Sequence, residues 1–145
     1  MSGAGARAIA TLGGVRGLAV VGSALALASP AAGAATGSGY SFGRQGGNII
    51  PFTVTVSARG RVHATGPVKV GRTHLSAAQL AAVAGAARSA GFASLPTQTL
   101  CPGTLPDVAA TFVAVGSKRV MVHGNCVPRY AKVWNALSAA VKLIY

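Results

Sequence analysis

Residues 52–91, FTVTVSARGRVHATGPVKVGRTHLSAAQLAAVAGAARSAG, decide the fold, because the hydrophobic period changes within them. From Phe52 to Ser57 apolar and hydroxyl side chains alternate, the pattern of a strand with one buried face. Ala58 to Gly60 supply a turn, and Arg61 to Thr65 continue as a second strand with Val62 and Ala64 inward. Val68 and Val70, flanking Lys69, suggest a short third. The spacing then becomes helical over Ser76 to Ala90. Ser76 and Gln79 form a capping box, and Leu75 and Leu80 stand where a hydrophobic staple belongs. Leu80, Val83 and Ala87 share one helical face, and Gly91 occupies the place of a left-handed C-terminal cap.

Downstream, Val108 to Val115 and Lys118 to His123 read as a strand pair joined by the two-residue turn Gly116-Ser117. Pro128 opens a second helix at a position where a missing N–H does no harm. Tyr130, Val133, Trp134, Leu137, Val141 and Ile144 recur with a helical period, forming a core-facing stripe on which Trp134 reads as a packing residue. The order β-β-β-α-β-β-α implies an α+β domain over residues 50–145, an antiparallel sheet of about five strands with two helices on one face. Leu80, Val83, Val133, Trp134, Leu137 and Val141 are expected to pack against Val54, Val56, Val62, Val120 and Val122, since each set keeps one phase of its element.

Upstream, residues 35–49 are rich in Gly and Ser, with Tyr40, Phe42 and Arg44 interspersed, and read as a flexible lead-in or an irregular edge segment. Residues 1–34 read as an export signal. Arg7 and Arg16 give a positive start, Leu18 to Ala28 an apolar run, and Ala32 and Ala34 an A-x-A cleavage pair. The competing reading, a membrane anchor, needs about 20 apolar residues, and Gly22 and Ser23 interrupt the run. Cleavage leaves about 110 residues, enough for one core. It also leaves 11 basic side chains against one acid, Asp107, in a chain without Glu. Two cysteines in an exported chain favour a disulfide between Cys101 and Cys126; a reactive thiol or a metal pair is the weaker alternative, as no C-x-x-C spacing is present.

The run PFTVTVSARGRVHATGPVKVGRTHLSAAQLAAVAGAARSAGFASL, followed by PDVAATFVAVGSKRVMVHG and the Trp134 helix, resembles an uncharacterised bacterial secreted domain family. That family's pattern is P-x-Y/F-x-V-x-V, a Gly turn, a helix ending before G-F-x-x-L, a Pro/Asp-led strand pair and a closing helix. The resemblance spans residues 43–142; it implies export and fold and carries no known activity. One common version has a Cys pair ahead of the first strand, where Gly43 to Pro51 stand here.

A single carboxylate excludes chemistries that need two, among them paired-carboxylate glycoside hydrolysis, oxygen-ligand calcium loops and two-metal centres. His63, His74 and His123 are scattered over three elements without the short spacings of a metal site, so no metal and no cofactor is expected. A Ser-His-Asp triad would have to use Asp107, and no serine lies in a nucleophile motif; Asp107, opening a strand after Pro106, reads as a turn-fixing residue. The Pro-rich segment 96–106, tethered at Cys101, has the makings of a rigid loop that a protease inhibitor would present. Where Val62, Val120 and Val122 point inward, Arg61, His63, Arg119, Met121 and His123 point to the other face with Thr53 and Thr55. Arg61, His63, Arg119 and His123 are therefore the candidate anion-binding residues. The leading expectation is a small secreted, non-enzymatic domain that binds an anionic cell-envelope polymer or an extracellular protein. The alternatives are a secreted enzyme using His123 or His63 with Asp107, and a protease inhibitor. No nucleic-acid motif is present, and no transmembrane segment is expected after signal cleavage.

Overall fold

The computed structural model describes residues 39–105 and 107–145. Residues 1–34, read from the sequence as an export signal, and the first residues of the segment read as a lead-in lie outside the described residues. Eight strands and two helices follow in the order β1 (Tyr40–Gln45), β2 (Phe52–Val56), β3 (Val62–Thr65), β4 (Lys69–Val70), α1 (Ala77–Ser89), β5 (Gln98–Leu100), β6 (Ala110–Val115), β7 (Lys118–His123), α2 (Pro128–Val141) and β8 (Leu143–Ile144). The class is α+β, as the alternation of periods implies.

Six strands, rather than five, form one sheet in the order β3-β2-β1-β6-β7-β5. All pairs are antiparallel except β5 with β7. The two additional strands come from segments whose composition reads as irregular, one rich in Gly and Ser and one rich in Pro. The first is β1, inside the Gly/Ser-rich lead-in, which lies at the centre of the sheet between β2 and β6. Tyr40 and Phe42 are buried in phase with Val56 and Val54. The glycines that disguise this strand serve contact: a Cβ on Gly43 would run into the Phe52 carbonyl oxygen of β2 and meet the Phe112 ring at 3.0 Å. Glycine in a strand interior often marks such a close approach. The second is β5, inside the Pro-rich segment, laid parallel on β7 by Met121 N–H to Thr97 O and Cys101 N–H to His123 O, both 2.9 Å. In the other direction, the expected third strand leaves the main sheet. As β4 it pairs with β8 beyond the end of α2.

The helices form as their signals imply. Both hydrogen bonds of the capping box are made, Gln79 N–H to Ser76 Oγ at 3.2 Å and Ser76 N–H to Gln79 Oε1 at 2.8 Å. Gly91 has φ +58° at the end of α1, and Pro128 stands in the first turn of α2. Arg129 ties the two helices together, donating to Ala90 O at 2.6 Å and to Gly91 O and Ser94 Oγ at 3.0 Å. The core lies between the helices and one sheet face: Phe42, Val54, Val56, Val62, Val113, Val120 and Val122 pack with Val83, Val133, Leu137 and Val141. Leu80 and Trp134, expected with them, are half-buried at its margin. Cys101 and Cys126 are joined, with Cα atoms 5.6 Å apart. The bond ties the end of β5 to the residues before α2.

Candidate functional site: the open sheet face

Helix packing on one side leaves the second face of the sheet to be built from the outward side chains, and the register fixes their arrangement. One row runs straight across five strands: His63 pairs with Thr55, Thr55 with Ser41, Ser41 with Ala114, and Ala114 with Arg119. A second row, one pleat further on, carries Thr65, Thr53, Gly43, Phe112, Met121 and Gln98. His63, Thr55, Thr65 and Arg119 are exposed.

Arg119 is held against its neighbours on this face. Its guanidinium carbon lies 3.9 Å from the centre of the Phe112 ring, and its Nη2 donates to Gln45 Oε1 at 2.7 Å. Gln45 in turn is fixed by its Nε2, 3.2 Å from the Met121 sulfur. Stacking on an aromatic face is characteristic of arginine rather than lysine, and it holds the fork in place with further N–H groups available to an oxyanion. The Thr55 and Thr65 hydroxyls donate to the His63 and Thr53 carbonyls at 3.4 and 3.3 Å, which leaves their lone pairs outward.

Of the four expected anion-binding residues, Arg61 and His63 come together at the β3 edge, where Arg61 bridges to His74. Arg119 and His123 share β7 on the far side. Four strand spacings separate His63 from Arg119, about 19 Å. The residues thus share a face without forming one pocket, and His63 and His123 do not adjoin. Asp107 is exposed in the turn before β6, its carbonyl oxygen packed against Gly47. Among the described residues no group of three or more His, Cys, Asp or Glu could hold a metal ion. The 96–106 segment does expose Leu100 and Leu105, at 66% and 64%. It is not an extended loop, however, because Gln98–Leu100 pair in the sheet and the chain then turns back with Thr104 N–H on Cys101 O.

The sequence reading missed one polar cluster on the helix side. Arg44, inside the segment read as a lead-in, points to that face in register with Phe52 and Thr111. Its Nε is buried with no hydrogen-bond partner, and so is the Tyr130 hydroxyl. Burial pushes the Tyr130 phenol well above the usual tyrosine range; the nearby Thr111 side chain and the Arg119 charge oppose this more weakly. The only signal for Arg44 was the alternation of Tyr40, Phe42 and Arg44 in phase with one another. Compared with protein-family models, curated proteins and solved structures, the chain matches none of them.

Proposed function

We propose that the chain is an exported, non-enzymatic binding domain whose open sheet face takes a linear anionic polymer of the cell envelope. The observation that carries this reading is the separation of Arg61 and Arg119 at opposite sides of the face. Arg61 with His63 and Arg119 with His123 stand on one face, with the hydroxyl-bearing Thr55 and Ser41 between them. A single phosphate cannot touch both ends of a row about 19 Å long, whereas a chain of repeating anions lying across the strands can. The balance of 11 basic side chains against one acid after residue 34 adds a long-range attraction of the same sign. The disulfide, and the lack among the described residues of any helix long and apolar enough to cross a membrane, are compatible with an extracellular setting.

The reading is tested by titrating the domain with polyphosphate chains of increasing length. Affinity is expected to rise until the chain spans from Arg61 to Arg119, then level off, and to fall steeply with added salt as screening requires. Arg61→Ala with Arg119→Ala is expected to weaken binding more than Arg88→Ala with Lys142→Ala. Equal losses from the two double variants would mean that net charge alone binds the polymer, and the proposal would fail.

A further inference from the structure

Three depressions run together on the helix side of the sheet, at the margin of the core. The first, of about 350 Å³, lies against the start of α2 between Asn125, Tyr130, Trp134 and Thr111. The second, of about 270 Å³, shares Thr111 and Trp134 with it and adds Arg44 and Tyr145. The third, of about 330 Å³, shares Arg44 and Tyr145 and is walled by Ile49, Ile50, Phe52 and Val68. Arg44 therefore stands where a polar half of the groove meets an apolar half.

We infer that this groove binds a small amphiphilic carboxylate, with the acid on the Arg44 guanidinium and the apolar body along Phe52, Ile50 and Tyr145. Two features of the groove point to such a ligand. The first is the unpartnered donor. A buried charged group left without a hydrogen bond is costly, and Arg44 Nε is buried with no acceptor from the chain; the residue is only half-buried and lines two of the depressions, so the guanidinium is open to an anion from the groove side. A guanidinium is matched best by a planar, two-oxygen anion. The second is the wall. Ile50 and Tyr145 are 72% and 74% exposed although both border the groove, and the Tyr145 ring stands edge-on to Phe52 at 5.7 Å. Phe52 also meets Trp134 at 6.5 Å. An apolar body laid there would cover surface that the fold leaves in water. Charge and apolar area together select an anion with a tail over a fully hydrated anion such as phosphate.

The site lies on the opposite side of the sheet from the polymer face, so the two proposals stand or fall separately. Trp134 is the chain's only tryptophan and borders two of the depressions, so its fluorescence reports occupancy directly. The probes are decanoate, decanol and shorter fatty acids, kept below their micelle concentrations and checked by calorimetry. Decanoate is expected to bind saturably with one-to-one stoichiometry, and decanol at least tenfold more weakly. Each methylene removed from the buried tail is expected to weaken binding by up to about fourfold. Arg44→Gln is expected to reduce decanoate affinity to that of decanol while leaving decanol unchanged, and Arg44→Lys to recover part of the loss. Arg61→Ala with Arg119→Ala is expected to leave decanoate binding untouched, and Arg44→Gln to leave polyphosphate binding untouched. Equal affinities of decanoate and decanol for the unaltered protein would overturn the inference without recourse to any variant. So would the absence of a saturable response at millimolar decanoate, or full decanoate affinity in a folded Arg44→Gln.

Discussion

Two neighbouring rungs of the same sheet face are covered to different extents. Phe42, Val54, Val113 and Val120 lie on one rung, and at most 1% of any of them is exposed. One pleat further along the same four strands come Arg44, Phe52, Thr111 and Val122; Phe52 and Val122 stay buried, but Arg44 and Thr111 are only half-buried and the surface opens there into a groove. Backbone pairing is continuous through both, so strand geometry does not distinguish them. The difference lies in what stands above. Val133 and Leu137 of α2 are fully buried in the core with the first rung, where Phe42 also meets the Trp134 ring edge-on at 5.3 Å. On the second rung Phe52 meets Trp134 at 6.5 Å, and Tyr130 and Trp134 border the groove. The comparison teaches that a core and a candidate binding groove can be made from one sheet face by stopping the covering layer a single pleat early.

The comparison breaks most visibly if the closed rung proves tolerant. Leu137→Ala is expected to cost about 3 to 5 kcal/mol, since a fully buried leucine leaves a cavity its neighbours fill only in part. Thr111→Val on the open rung is expected to cost under about 1 kcal/mol, as it removes one hydrogen bond to Val122 O at 3.3 Å. Urea unfolding of both variants checks the pair; similar losses would show that the two rungs are equally packed.

Reducing the disulfide is expected to cost somewhat less. For a sequence separation of 25, the chain-entropy model gives about 3.5 kcal/mol before native strain is counted. The bond pins β5 to the start of α2, at the groove end of the molecule. Amide exchange after reduction is therefore expected to quicken first over residues 98–105 and 126–130, with β1 and β6 still protected. Uniform quickening across the sheet would show that the bridge supports the whole domain equally.

The smallest effect is expected at Tyr130. Its hydroxyl is buried without a partner, so Tyr130→Phe is expected to shift stability by under about 1 kcal/mol near neutral pH and can raise it. The alkaline limb is the sharper readout. Burial raises the folded-state phenol above its ordinary value, so below about pH 10 both states are protonated and the stabilisation is complete. As pH rises further the unfolded chain ionises first, and stability falls. Tyr40 is shifted in the same direction, chiefly by burial, with Arg88 opposing. Tyr130→Phe should therefore make the decline above pH 10 shallower without abolishing it, which melting temperatures across pH 8 to 11 will show. An unchanged decline would place the Tyr130 hydroxyl in water.

The sequence by itself determined the features whose causes lie within one element or in adjacent residues. The alternation through Phe52–Val56 and Lys118–His123, the Ser76/Gln79 cap, Gly91 and Pro128 set two helices and most of the sheet, because side-chain period and capping act over a few residues. The face carrying Arg61, His63, Arg119 and His123 followed from the same alternation. Only the tertiary structure decided which strands are neighbours, because strand pairing joins distant segments and leaves little local trace. Gln98–Leu100 has no strand period and becomes β5 only against β7. Tyr40–Gln45 is concealed by Gly43, a residue with the marks of a flexible linker until Phe52 and Phe112 are seen closing around it. Arg44 depended on that assignment: a side chain cannot be placed in a groove until its strand is placed in the sheet. Likewise the distance from His63 to Arg119 depends on four intervening strand spacings, which no spacing along the chain encodes.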